Sequence, residues 1–245
     1  MMVNVDALKV RLIDELWLPK IKEVVPSIYP RRKKRIELRL FTLSDGINFG
    51  EISKFETEKL ITRTDAALWI ASDFHKRMRV ESENVGTILE GDFFADAICD
   101  TSSQLCTVFP RDIINLDFST QQTTLPQRIK SEIICLEKNV NLQNQKGARD
   151  FLLLFTSILD ASPVEVTQIV QGSNAIQLQG WSGLTLSTYP QTITDKLQLQ
   201  DFLKALVSQI CQKYGFQGAT GTLSLDIPNC QEKLFSMAII VARCP

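Results

Sequence analysis

The spacing of hydrophobic residues changes character along this chain. In the first part, Val5, Leu8, Leu12 and Leu16 recur at helical spacing. Pro19 is expected to end or kink that helix, because proline brings no amide hydrogen and its ring crowds the preceding turn. A second short segment closes at Pro26. The run Pro30-Arg31-Arg32-Lys33-Lys34-Arg35 then reads as a boundary between an N-terminal helical extension, residues 1–35, and a main domain over residues 36–245. From there, short apolar runs alternate with amphipathic stretches. Residues 36–43, 66–72, 85–90, 112–116 and 151–155 have the length and content of strands, the last (FLLLF) apolar throughout, as suits a strand buried on both faces. Between them, residues 51–61 turn Ile52, Phe55 and Leu60 to one side. A longer helix with Pro126 in its first turn does the same with Ile129, Ile133, Leu136 and Val140.

The last third begins with residues 161–193, rich in Gln, Ser, Thr and Gly, which read as an insertion or a lid. Leu199, Phe202, Leu203, Leu206 and Ile210 mark one face of a further helix, with Gly215 as its C-terminal cap. Residues 221–227 and 235–242 are two closing strands joined by a link short enough for an antiparallel pair. The predicted fold is therefore α/β: a doubly wound, mostly parallel, seven-stranded sheet with a closing antiparallel hairpin and an N-terminal helical extension.

Composition narrows the function classes. With 245 residues, 44% hydrophobic and 22% charged, the chain can bury an ordinary core. A formal net charge of -1 argues against a protein that coats nucleic acid. Cys99, Cys106, Cys135, Cys211, Cys230 and Cys244 lie scattered without a CxxC pair, which predicts buried, reduced thiols in a cytoplasmic protein. The apolar residues near the start are interrupted by Arg11, Asp14 and Glu15, so no signal peptide is expected. No uncharged run approaches the roughly 20 residues that cross a bilayer, so no membrane partner is expected either.

In open α/β sheets, ligands sit outside the carboxyl ends of the strands. The first four strands here lead into Ser44-Asp45-Gly46-Ile47-Asn48-Phe49-Gly50, Asp73-Phe74-His75, Asp92-Phe93-Phe94 and Asp117-Phe118-Ser119. A carboxylate offers several acceptor lone pairs to a neutral diol or an amine. Each of these acids is also a natural helix N-cap, and the glycines suit a turn that needs backbone freedom. The pattern gains weight from four consecutive strand ends carrying an acid or a glycine.

Element order, the closing hairpin and these strand ends resemble the Rossmann-like S-adenosylmethionine-dependent methyltransferases over roughly residues 36–243. The resemblance implies S-adenosylmethionine as cofactor. It places Ser44, Gly46 and Gly50 beside the methionine portion, Asp73 on the ribose hydroxyls, and Asp92 with Phe93 on the adenine. Asp117 and Phe118 would then hold the methyl acceptor, with Asp117 orienting an amine or acting as a general base. NAD-binding proteins also place an acid after the second strand, so Asp73 alone does not choose the cofactor. The chain departs from the family pattern in two ways. It lacks the GxGxG spacing after the first strand and the prolines that follow the acid after the fourth.

Two readings from different classes follow. One is a methyltransferase of unknown acceptor, working mainly by orienting acceptor and methyl donor. The other is a catalytically inactive methyltransferase-like binding or scaffold subunit, docking a protein partner through residues 1–35. An NAD-dependent oxidoreductase fits less well without the glycine fingerprint. His75 is the single histidine, expected near the ribose or at the surface, and with no cysteine cluster no metal site is expected. The basic run at 31–35 is a candidate contact for phosphate or nucleic acid, but it lacks the interleaved aromatics of a single-strand binder.

Overall fold

Short apolar runs become strands here because helices cover the sheet on both faces, which leaves few positions where a polar side chain would meet water. The computed structural model describes residues 5–28, 37–43, 49–70, 73–91, 104–118, 125–159, 164–165, 192–217 and 233–243. β1 (Leu40–Leu43), β2 (Ala67–Ile70), β3 (Thr87–Glu90), β4 (Ile113–Asp117) and β5 (Asp150–Leu159) pair in parallel. β6 (Val164–Glu165) and β7 (Thr192–Ile193) form a small antiparallel pair of their own. β8 (Phe216–Gln217) and β9 (Lys233–Arg243) complete the main sheet, with β9 antiparallel to both β5 and β8. The seven-stranded order is β3-β2-β1-β4-β5-β9-β8. This is the methyltransferase-like variant of the Rossmann arrangement, a mostly parallel sheet closed by an antiparallel pair. Residues 221–227, expected to pair in that hairpin, lie outside the described residues, as does the basic run at 31–35. Among the described residues, β8 pairs with β9 there.

Seven α-helices, a π turn and a short 3-10 helix (Arg63–Asp65) surround the sheet among the described residues. On one face lie α1 (Val5–Leu12), the π turn Ile13–Trp17, α2 (Leu18–Ile28), α3 (Gly50–Thr57) and α4 (Phe74–Ser82). They share an apolar cluster in which Leu12, Leu16, Trp17, Ile21, Ile52, Phe55 and Val80 meet Leu40, Leu68, Ile113 and Leu154. The opposite face is covered by α5 (Leu105–Val108), α6 (Leu125–Gln145) and α7 (Lys196–Lys213), where Ile129, Ile133, Leu136 and Val140 pack with Phe151, Phe155 and Phe202. Gly215, just past α7, has φ +77°, the left-handed conformation that favours glycine after a helix. Cys106, Cys135 and Cys211 are free thiols, and burial pushes Cys211 up to about 12.

Of the expectations for the N-terminus, that Pro19 ends the helix and that Pro26 closes a second segment do not hold, while a local distortion does precede Pro19. The chain stays helical from Val5 to Ile28, with Pro26 inside α2. The widened π turn precedes Pro19, and the amide of Leu18 donates to the Ile13 carbonyl. The extra residue in that turn accommodates a proline that a regular α-helix would not. The extension packs on the sheet: Trp17 is fully buried, and its indole Nε1 donates to Ser236 Oγ on β9 at 3.1 Å.

Candidate functional site

The strand order reverses between β1 and β4, and the carboxyl ends of these strands, with that of β2, form the crevice where α/β sheets hold ligands. Asp73 stands three positions beyond the end of β2. It is exposed and caps α4, its Oδ1 accepting from the Lys76 amide at 3.0 Å. That backbone hydrogen bond, more than any other influence, holds the Asp73 carboxyl below its ordinary range, so it is an anionic acceptor at neutral pH. His75 is exposed on the first turn of α4. Gly50 is the first residue of α3, at the far end of the loop after β1. Ser44 and Gly46 in that loop lie outside the described residues, as do Asp92 and Phe93 after β3. The residue before Asp92, Gly91, is fixed from two directions. Its amide donates to the Ile70 carbonyl at 3.1 Å, and its carbonyl accepts from Trp69 Nε1 at 3.2 Å.

At the end of β4 the two predicted residues diverge, because neighbours on a strand face opposite sides of the sheet. Phe118 turns into the core beneath α6, 1% exposed, with its ring edge-on to Phe155 at 5.8 Å. Asp117 turns to the other face, under the N-terminal helix. There its Oδ2 lies 3.2 Å from Lys9 Nζ of α1, and the side chain is only 3% exposed.

Three further groups surround that ion pair. Glu51, the second residue of α3, is wholly buried, and its Oε2 lies 3.8 Å from the same Lys9 ammonium. Its Oε1 accepts from Thr42 Oγ1 of β1 at 3.2 Å, and Thr42 Oγ1 in turn accepts from Asn115 Nδ2 of β4 at 3.0 Å. Burial pushes the Glu51 carboxyl above its ordinary range, and Lys9 opposes that only in part. The row continues across the sheet, since Asp117 pairs with Thr156 in register and Thr156 Oγ1 lies 2.9 Å from Ser236 Oγ. The predicted acids after β2 and β4 thus flank the end of β1, one open to solvent and one covered. Lys9, Thr42, Glu51 and Asn115 belong to the cluster although none was singled out from sequence. Two signals were legible: a lone Asn inside the apolar run DIINL, and an acid in the first turn of a helix, where the dipole favours it. No group of His, Cys, Asp and Glu suited to a metal ion occurs among the described residues.

Sheet order and crevice define a methyltransferase-like Rossmann domain. No protein-family model matches the chain, and no curated protein matches it. Solved structures similar to it include the pyocyanin biosynthetic protein PhzM (12% identity, TM-score 0.39), which covers 91% of this chain while the chain spans only 55% of that protein. Magnesium protoporphyrin IX methyltransferase from Synechocystis, solved with bound S-adenosylhomocysteine, is similar at 11% identity and TM-score 0.42, with 99% of this chain and 89% of that one covered. A class I S-adenosylmethionine-dependent methyltransferase from Listeria monocytogenes gives 12% identity and TM-score 0.44, with 93% and 60% covered. At such identities and scores the fold assignment rests on the sheet order, not on these likenesses. No described helix is long and apolar enough to cross a membrane.

Proposed function

We propose that this chain is an S-adenosylmethionine-dependent methyltransferase of the cytoplasm, with its cofactor across the carboxyl ends of β1 to β3 and its acceptor at the end of β4. The observation that carries the reading is the placement of Asp73 and Asp117 on either side of the β1 end, at the point where strand order reverses. The chemistry of the acceptor atoms fits. Asp73 is exposed and anionic, which suits the paired hydroxyls of a ribose. The carboxylates of Asp117 and Glu51 suit an electron-poor or cationic group. When bound, the cofactor would supply an electrophilic methyl group on a sulfonium. The chain's contribution is to orient: Asp73 would fix the nucleoside, and Asp117 would set the direction from which an acceptor approaches.

Calorimetry with S-adenosylmethionine and S-adenosylhomocysteine tests this. Both are expected to bind saturably. Asp73→Ser, which retains an N-cap oxygen for α4, is expected to weaken both by about tenfold, the loss of one charge-assisted hydrogen bond. A folded protein that binds neither ligand refutes the reading. One observation favours a second: Asp117 is already paired with Lys9, as suits a domain that has lost turnover and serves as a binding or scaffold subunit. Binding of neither ligand is the outcome that selects it.

A further inference from the structure

Two acceptors of the cluster beneath α1 are left over among the described residues. Glu51 Oε2 and Asn115 Oδ1 are both fully buried, and neither has a hydrogen-bond partner among the described residues. Asn115 and Asp117 project from alternate positions of β4 to the same face, and Glu51 overhangs them from α3. Among the described residues, the Lys9 ammonium brings positive charge to the cluster, reaching Asp117 at 3.2 Å but Glu51 only at 3.8 Å. A buried acceptor left without a donor costs roughly 1–3 kcal/mol. An ammonium free of the α1 backbone, able to settle between Asp117 and Glu51, therefore suits this place better than the tethered Lys9, which stays 3.8 Å from Glu51. The covering helix is joined to the sheet-packed Trp17 through the π turn, a distortion often found at functional positions.

We propose that Glu51, Asp117 and Asn115 form a subsite for the ammonium group of an unbranched primary amine, which Lys9 fills as an internal occupant. This deepens the function proposed above and rests on it for what happens to the amine: the acceptor is an alkylamine, a lysine-like side chain or a small polyamine. The bound ammonium first gives one proton to the Glu51 carboxylate; the lone pair so freed forms the N–C bond as the S–C bond breaks and its electron pair stays on sulfur. Lys9 then acts as a competitor in cis, and an acceptor enters only as α1 gives up its ion pair.

The test uses the full chain and butylammonium, the lysine side chain without its backbone, with 1-butanol as the neutral control at matched ionic strength. In the presence of saturating S-adenosylhomocysteine, Lys9→Ala is expected to bind butylammonium at least tenfold more tightly than the unaltered chain. The double variant Lys9→Ala/Glu51→Gln should lose that gain, and 1-butanol should not bind. With S-adenosylmethionine, Lys9→Ala should release N-methylbutylamine. Lys9→Met, which keeps the apolar stem, replaces Lys9→Ala if circular dichroism shows the latter unfolded. Four results overturn the subsite: no saturable uptake of butylammonium, equal uptake of 1-butanol, displacement of butylammonium by S-adenosylhomocysteine, or uptake without methyl transfer. The third assigns the acids to the cofactor's own amino group, and the fourth makes Lys9 a structural counter-ion. All four leave cofactor binding standing, whereas failure of S-adenosylhomocysteine to bind removes the proposed function and the subsite together.

Discussion

Replacing Glu132 by glutamine should remove a pH dependence of stability that the fold imposes from inside. Glu132 lies on the inner face of α6, fully buried, with the Ser157 side chain beside its carboxyl. Its nearest cation is Arg128, whose Nε is 3.3 Å from Oε1, while the Arg128 guanidinium also donates to the Ile158 carbonyl. Burial outweighs both the Ser157 side chain and Arg128 and pushes the Glu132 carboxyl up to about 8, against 4.5 for an unperturbed glutamate. The folded protein therefore holds one proton more than the unfolded chain between those two values. Unfolding free energy must then fall as pH rises through that window, by about 1.4 kcal/mol per pH unit. From pH 5 to 7.5 this amounts to about 3 kcal/mol, since both values lie inside the window. Glutamine is neutral throughout and similar in shape, so the Glu132→Gln chain should lack this slope. Urea unfolding of both proteins at half-unit pH intervals measures it, and subtracting the two profiles cancels every other titrating group. Parallel profiles would refute the reasoning and would mean that Arg128 keeps Glu132 ionised in the fold.

Two further substitutions test how the crevice is framed. Trp17→Ala should cost about 3–5 kcal/mol by urea unfolding, as for a large aromatic emptied from a core. A loss under about 1 kcal/mol would mean that the N-terminal helices do not hold to the sheet as they are placed. Gly86→Ala should cost about 3 kcal/mol or more, because overpacking against backbone has no rotamer to relieve it. The added methyl would lie 1.6 Å from the Thr64 carbonyl oxygen, just before β3. An unchanged urea midpoint would contradict that close approach.

The sheet was legible because burial on both faces writes itself as short unbroken apolar runs. Residues 66–72, 85–90 and 112–116 each contain the strand that forms or overlap it, and the four apolar positions named for α6 are all buried. Strand ends shifted where propensity alone speaks: residues 36–43 were read as one strand, yet β1 starts only at Leu40. The N-terminal helix ran on past Pro19 because a single inserted residue in the π turn removes the clash that proline causes. The site was half legible. Acids at strand ends follow from the architecture, so Asp73 and Asp117 stood out. Lys9 and Glu51 did not, since an exposed-looking lysine on an amphipathic helix and an acid in a helix's first turn are ordinary surface features until the helices dock. Phe118 shows the same limit, because only the phase of β4 decides that it packs beneath α6 while its neighbour turns under α1.

That phase also separates two events that a shared site would otherwise merge. Asp73 is exposed and already anionic, so a ligand with paired hydroxyls can reach it without any rearrangement. Asp117 is covered, and whatever engages it must first replace Lys9 and move α1. Opening that ion pair in the absence of a replacement cation leaves two carboxylates in a place with little water. Glu51, already inclined by burial to take a proton, is the group that would do so. An incoming ammonium avoids that cost, whereas a neutral hydroxyl does not. The cover therefore selects for charge as well as for size. An acceptor lacking an ammonium would meet the full penalty of uncovering the acids, and this makes Lys9 a specificity element as much as a lock.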